Sequence, residues 1–221
     1  MKHPLLLALS LVGICLFVSF YFVSRAFYYK RHQVKYHFFQ MFPYEFNYPN
    51  VFKENLYGNI IFVLSCLSII AFYINNPLNN IYSLLGIILS IVLTMMYIIL
   101  LLLPLRYLRT HMVVSSISMA LSTALPVLNL FAALNLMKSV VAEANPTLCI
   151  ISMVISGVIA LMMLALILNP KLTFSIYYEK AVDINGNEIK IRPKVIFMAL
   201  NEWWAILTFF LTTIPLILLF K

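Results

Sequence analysis

The sequence predicts an all-α polytopic membrane protein: a six-helix transmembrane bundle with an interfacial amphipathic helix and a small cytoplasmic β-hairpin. Three observations support this. Of the 221 residues, 63% are hydrophobic and only 10% are charged, whereas a soluble domain has about 45–50% apolar and about 25% charged residues. Six apolar runs have about the 20 residues that a spanning helix needs. Basic residues concentrate in every second gap between the runs. The expected partner of most of the surface is therefore the lipid bilayer.

The six predicted spans form one domain without an internal repeat or a flexible linker. They cover residues 4–23, 57–74, 81–103, 112–137, 148–168 and 196–220, and the first five contain no Asp, Glu, Lys or Arg. The first span also has features of a secretory signal peptide, with Lys2 before an apolar run. No A-x-A-like cleavage site follows it, so an uncleaved first helix is favoured.

The distribution of basic residues predicts the orientation of the spans. Twelve of the 15 Lys and Arg residues lie in the first, third and fifth loops, which are residues 25–56, 104–111 and 169–195. They are Arg25, Lys30, Arg31, Lys35, Lys53, Arg106, Arg109, Lys171, Lys180, Lys190, Arg192 and Lys194. Because cytoplasmic loops carry the excess of Lys and Arg, these loops are predicted to be cytoplasmic and both termini to lie outside.

The first cytoplasmic loop is predicted to begin with a helix that lies in the membrane interface. Polar residues share one helical face: Lys30, Gln33, His37 and Gln40. Apolar residues share another: Phe27, Val34, Phe38 and Met41. A basic face opposite an aromatic one is typical of interfacial helices. Pro43 is expected to end this helix, because the residue before a proline disfavours the α conformation.

An aromatic tract follows this predicted helix. Five aromatic residues are candidate contacts for a protein partner on the cytoplasmic face: Phe38, Phe42, Tyr44, Phe46 and Tyr48. The alternative is an aromatic belt that anchors the loop at headgroup depth. His32 and His37, taken with Glu45 or His111, fit no standard ligand spacing, so no metal site is predicted.

The fifth loop is predicted to contain a β-hairpin. Residues 178–184 and 187–192 flank Asn185-Gly186, a pair that supplies the two positive-φ positions of a type I′ turn. Ile189 and Ile191 alternate with Lys190 and Arg192, as in a half-buried strand. Because an isolated two-stranded hairpin is marginal in water, it is expected to pack on the first loop, the membrane surface or another subunit.

The fourth span is the most polar of the first five. Ser115, Ser118, Ser122 and Asn129 share one helical face, and Pro126 interrupts the backbone bonding. One interpretation is a polar transport path through the bundle. The other is close helix packing, for which small and hydroxyl residues are common in membranes. In either case this helix is expected at the centre of the bundle.

Glu202 is the one acidic residue within a predicted span. An intramembrane carboxylate is by default a candidate functional site, and here it is a candidate for proton relay, for cation binding or for pairing with a base such as Arg106. The alternative places Glu202 at the first turn of the last helix, beside Trp203 and Trp204 in the headgroup belt.

The sequence favours a non-catalytic membrane subunit or scaffold that engages a partner through its cytoplasmic loops. The alternative is a small-solute or ion transporter that uses the polar face and Glu202. An intramembrane enzyme is less favoured, since no catalytic motif is present, and no cofactor or nucleic-acid partner is predicted. The Ile, Asn, Lys, Tyr and Phe usage suggests an AT-rich genome, and the predicted location is the plasma membrane of a bacterium.

Overall fold

A computed structural model describes residues 4–78, 80–103, 107–138, 145–172, 179–182 and 187–219. Its elements, in chain order, are α1 (Pro4–His32), a 3-10 helix (Pro43–Asn47), α2 (Val51–Glu54), α3 (Leu56–Ile74), α4 (Ile81–Leu102), α5 (Leu108–Lys138), α6 (Pro146–Ile167), β1 (Glu179–Val182), β2 (Glu188–Ile191), α7 (Phe197–Leu211) and α8 (Thr213–Leu218).

Six helical stretches are long and apolar enough to cross a membrane. They are α1, α3, α4, most of α5, α6, and α7 continued by α8. The prediction of six long apolar helices is therefore confirmed. Local sequence explains several of their ends: the Asn80 side chain accepts a bond from Ser83 N at the start of α4, and Asn145 with Pro146 begins α6.

The first helix is longer than predicted, and the interfacial helix is absent. α1 continues past Val23 to His32, so Phe27 and Lys30 belong to it. Gln33 then adopts a positive φ of 54°, which a helix does not tolerate. Residues 33–42 are consequently not helical. The prediction of an interfacial helix through Gln33, Val34, His37, Phe38, Gln40 and Met41 was therefore wrong.

Residues 33–50, called the aromatic segment from here on, fold back into the protein. All side chains from Met41 to Asn47 are buried. The Tyr36 ring stacks on Phe46 at 4.0 Å, and both rings lie near Trp203 of α7. The Trp203 indole N–H donates to the Met41 carbonyl at 3.1 Å and to the Tyr36 hydroxyl at 3.2 Å. The segment therefore packs between the helices and closes one end of the bundle.

Hydrogen bonds between elements define that end. Asn47 Nδ2 donates to the Leu101 carbonyl at the end of α4, and Ile196 N before α7 donates to the Phe39 carbonyl. Asn201 Nδ2 of α7 donates to the Leu166 carbonyl at the end of α6. We call this the basic end, because it carries the basic residues that follow α1 and β2.

The last two helices occupy the centre of the bundle. In the apolar window of α7 and α8, 67% of residues are buried, against 28% in α1 and α6 and 44% in α5. α7 packs against α1, α4, α5 and α6. The central position predicted for the fourth span thus belongs to α7, and α5 lies beside it. α7 and α8 are separated at Thr212, whose carbonyl accepts a bond from Asn129 Nδ2 at 2.8 Å.

The first and third helices approach each other closely. A Cβ at Gly13 of α1 would lie 2.6 Å from Cδ1 of Ile69 in α3. Ser68 of α3 donates to the Leu9 carbonyl of α1 at 2.7 Å. Small residues with hydroxyl bonds across the contact are typical of membrane helix pairs.

The two strands pair antiparallel, with Val182 opposite Glu188 and Glu179 opposite Ile191. A two-residue Asn185-Gly186 turn would instead place Val182 opposite Ile189, so the register differs by one residue from that expected for such a turn. Residues 183–186 lie outside the described residues. Ile189 and Ile191 are each 41% exposed.

Candidate functional site

A buried pair of titratable side chains lies near the basic end, between α5 and α7. His111, in the first turn of α5, and Glu202, in the second turn of α7, are each 1% exposed. His111 Nε2 lies 2.9 Å from Glu202 Oε1. Glu202 is five residues after Phe197, or about 7.5 Å along the helix axis. The alternative prediction, with Glu202 in the first turn of the last helix at headgroup depth, was therefore wrong: Glu202 is buried in the second turn of α7.

The other ring nitrogen of His111 determines where its protons lie. Nδ1 is 2.9 Å from the carbonyl oxygen of Leu103, at the end of α4. A carbonyl oxygen only accepts, so Nδ1 must carry a hydrogen. The contact between Nε2 and Glu202 Oε1 then needs exactly one proton: on histidine beside a carboxylate, or on glutamic acid beside a neutral ring. The pair is neutral overall in both forms.

One oxygen of Glu202 has no partner. Oε2 is buried and has no hydrogen-bond partner among the described residues. Five more buried oxygens in this part of the chain share that property: Ser115 Oγ, Ser152 Oγ, Ser156 Oγ, Asn201 Oδ1 and Thr208 Oγ1. They lie on α5, α6 and α7, which pack against one another. Buried polar atoms normally have partners, so this inter-helix region has unused capacity to bind water, a proton or a polar solute.

The aromatic segment closes the site at the basic end. The Phe42 and Tyr44 rings meet His111 edge to face, with centroids at 6.0 and 5.5 Å. Tyr36 donates to the carbonyl oxygens of Phe42 and Met41 at 2.8 and 3.0 Å. Burial raises the Tyr36 pKa well above its usual value, so this hydroxyl stays protonated and remains a donor.

A second buried carboxylate, Glu45, holds the aromatic segment in place. Arg192, just after β2, donates from Nη1 to both Glu45 oxygens at 3.0 and 2.9 Å, and to the Gln40 carbonyl at 3.2 Å. Phe42 N–H donates to Glu45 Oε1 at 2.9 Å. Burial raises the pKa of Glu45, and the Arg192 charge opposes that rise. The ion pair joins the first loop to the fifth.

The predicted polar face of α5 is buried, and most of it is used in packing. Ser118 donates to the Val114 carbonyl, Ser122 contacts the Tyr97 hydroxyl, and Asn129 donates to the Thr212 carbonyl. Ser115 Oγ alone of the four lacks a partner among the described residues. It lies one turn from His111, but both ring nitrogens of His111 are engaged, so neither can accept a proton from the Ser115 hydroxyl.

The five predicted partner contacts divide into two groups. Phe42, Tyr44 and Phe46 are buried against the protein's own helices, Phe38 is partly buried, and Tyr48 is exposed. For the three buried rings the structure shows internal packing. The predicted role in partner binding therefore rests on Phe38 and Tyr48.

Sequence reasoning missed His111 and Arg192 as partners of the two carboxylates. Residues 104–111 were predicted as a loop, whereas α5 begins at Leu108 and includes His111. The predicted alternative partner of Glu202, Arg106, lies outside the described residues. One signal was available for the other pair: Glu45 stands in an aromatic tract, and a carboxylate buried among rings needs a cation or donors.

The described residues contain no group of three or more His, Cys, Asp or Glu side chains that could hold a metal ion. No known protein family, curated protein or solved structure matches the chain.

Proposed function

We propose that the chain is a membrane carrier in which the His111–Glu202 pair takes up and releases a proton as a small solute or ion crosses the bilayer. The observation that carries the proposal is the environment of Glu202. The carboxyl group is 1% exposed, shares one proton with a histidine, and has a second oxygen that no described residue contacts by a hydrogen bond. Ionisable groups inside membrane spans are costly and typically mark ion or proton pathways.

The arrangement suits reversible proton exchange better than static structure. A proton can pass between Nε2 and Oε1 without leaving a net charge buried. When a cationic solute or an inorganic cation binds at Oε2, its charge balances the carboxylate, so the shared proton can leave His111 Nε2 for water. When the cation departs, the pair takes a proton back from water. Ser115 of α5, Ser156 of α6 and Thr208 of α7 have hydroxyl oxygens without a partner among the described residues, and these would supply further polar contacts for that cation.

Proton movement in proteoliposomes tests this proposal. Vesicles containing a pH-sensitive dye receive pools of amino acids, sugars, nucleosides or inorganic cations under an imposed pH gradient. The wild-type chain should move protons in response to at least one pool, and Glu202→Gln should abolish the response. Glu54→Gln is the matched control, since Glu54 of α2 pairs with Arg31 outside the bundle. No response to any pool, or an undiminished response in Glu202→Gln, would refute the proposal.

A membrane subunit that engages a protein partner is the second candidate function. The exposed isoleucines of β2, Ile189 and Ile191, favour it, because a two-stranded sheet with an apolar face gains stability when that face is covered. Purification in mild detergent with mass spectrometry should then recover a stoichiometric partner, and the double change Ile189→Asp and Ile191→Asp should lose it. A chain that purifies alone would argue against this candidate.

The proposed orientation places the basic end in the cytoplasm of a bacterium, with both termini outside. The excess of Lys and Arg in the first, third and fifth loops supports it. Single cysteines replacing the exposed Lys194 or Lys138, in a background with Cys15→Ser, would test it with a membrane-impermeant thiol reagent. Labelling of Lys138→Cys from outside is expected, and labelling of Lys194→Cys from outside would reverse the orientation.

A further inference from the structure

A lateral groove between α1 and α7 lies outside the proton site. Its volume is about 490 Å³, within the range of ligand pockets. Its lining is almost wholly apolar and aromatic and includes Tyr21 of α1, Phe38 and Phe39 of the aromatic segment, and Leu200, Trp203 and Trp204 of α7. The groove has the volume and chemistry for a hydrocarbon chain.

One charged side chain beside the groove indicates what kind of molecule carries that chain. Arg25 lies one turn beyond Tyr21, which lines the groove, and its positive charge acts on the Tyr21 hydroxyl. Arg25 forms no ion pair with the described residues. A guanidinium at the groove's end suits a phosphate.

We propose that this groove is a binding site for an anionic diacyl phospholipid, with one acyl chain between α1 and α7 and the headgroup phosphate at Arg25. The aromatic rings give the chain apolar contacts, and the Arg25 guanidinium gives the phosphate a positive charge. The proposal goes beyond the proton site and depends only on membrane residence. The lipid would also contact Phe38 and Phe39, and so stabilise the aromatic segment where it covers the basic end.

Tryptophan fluorescence reports directly on this groove. The chain has two tryptophans, and both line the groove. Brominated acyl chains quench tryptophan on contact. Two vesicle preparations should contain the same molar amounts of phosphatidylglycerol and phosphatidylcholine, with an equal amount of bromine placed on one lipid or on the other. Quenching by the brominated lipids should reflect about a fivefold preference of the groove for phosphatidylglycerol over phosphatidylcholine, the factor given by the attraction of one basic residue for an anionic lipid.

Two variants separate the headgroup from the chain. Arg25→Gln should abolish the preference for phosphatidylglycerol and leave quenching in proportion to mole fraction. Leu200→Phe should fill the groove and reduce quenching, while Leu161→Phe on the exposed face of α6, at a site 66% exposed, should not. Equal quenching by both lipids in the wild type would mean ordinary bilayer contact and would overturn the proposal. A preference that survives Arg25→Gln would overturn it as well.

Discussion

Two carboxylates are buried near the basic end, and they are held in opposite ways. Glu45 is 7% exposed, and both of its oxygens accept bonds from Arg192, with a third bond from the Phe42 N–H. Glu202 is 1% exposed and contacts His111 through one oxygen, while the other has no partner in the part of the chain that the structure describes. The first carboxylate is fully satisfied by a cation that never loses its proton. The second shares its proton with a group that exchanges protons near neutral pH.

This difference indicates which of the two buried carboxylates is structural. Glu45 joins two loops through Arg192, which is 147 residues away in sequence. Both of its oxygens already accept hydrogen bonds, so Glu45 is not a candidate ligand-binding group. Glu202 joins two helices but has bonding capacity left over. We therefore expect substitutions at the Glu45 pair to affect stability, and substitutions at the Glu202 pair to affect proton movement.

The largest effect on stability is expected from Arg192→Gln. This change leaves the Glu45 carboxylate buried without its cation. We expect a loss of about 3 kcal/mol in the free energy of unfolding. This is the low end of the range for a buried pair, because the Arg192 side chain is 31% exposed. For a chain of this size the melting temperature should fall by about 6–12 °C. A thiol-reactive dye can follow unfolding, since Cys66 and Cys149 are buried.

The double variant Glu45→Gln with Arg192→Gln is the control for this first prediction. Because it removes both charges, it should recover most of the lost stability. The double variant could instead lose as much stability as the two single variants together. The ion pair would then not hold the aromatic segment, and Glu45 would not be the structural carboxylate of the two.

A smaller effect is expected from Tyr36→Phe, which links the two regions. The Tyr36 hydroxyl bonds to the Met41 and Phe42 carbonyls and accepts from the Trp203 indole, next to Glu202 in α7. Its loss should cost about 1–2 kcal/mol, since two carbonyls lose a buried donor. Proton movement should also change, because the segment covering His111 is loosened. Tyr29→Phe, at an exposed site on α1, is the matched control.

Glu202→Gln should be milder still for stability, with a loss under about 1 kcal/mol. Glutamine can donate its amide hydrogen to His111 Nε2, with Nδ1 still bonded to Leu103, so the contact survives without an exchangeable proton. The dye assay should show a melting temperature near the wild type. A loss as large as that of Arg192→Gln would mean that both carboxylates are structural, and the comparison would fail.

The fold was largely predictable because hydropathy records which residues must avoid water. All six apolar helices were predicted, but the ends were harder. α1 continues through Ser24–His32 as a more polar helix. The length of the apolar run predicted only the part of the helix before Ser24. The aromatic segment was predicted to lie at the interface, because a mixture of Phe, Tyr and Lys is common there. Its burial depends on the space between α4 and α7, which is a property of the assembled bundle.

In each buried pair, the sequence pointed to the carboxylate but not to its partner. Glu202 stood out as an acid within an apolar run. His111 did not, because it lies 91 residues away at a helix start that was predicted as loop. Arg192 was one of many loop cations, and nothing local distinguishes it from Lys190 or Lys194. Partners so distant in sequence become identifiable only when helix packing brings them together.

The smallest expected effect, and the one that isolates Glu45 by charge alone, is a pH dependence of stability. Burial raises the pKa of this carboxyl group above its usual value of about 4.3, so the folded state binds the proton more tightly than the unfolded chain. The resulting stabilisation is full below the unfolded pKa and is lost as pH rises through the folded pKa. Relative to Glu45→Gln, the wild-type melting temperature should therefore decline as pH rises above about 4.3, the usual pKa of the group.

Arg192→Gln should enlarge this decline and move it to higher pH, since the charge that opposes the pKa rise is gone. At pH 4, below the usual pKa of about 4.3, a carboxyl group with a raised pKa is mostly protonated, so most of the cost of Arg192→Gln should disappear. Melting curves of the three proteins across this range provide the measurement. A cost of Arg192→Gln that is the same at pH 4 and pH 7 would show that Arg192 stabilises the segment through its bond to Gln40, and the charge on Glu45 would then have no part in holding the two loops together.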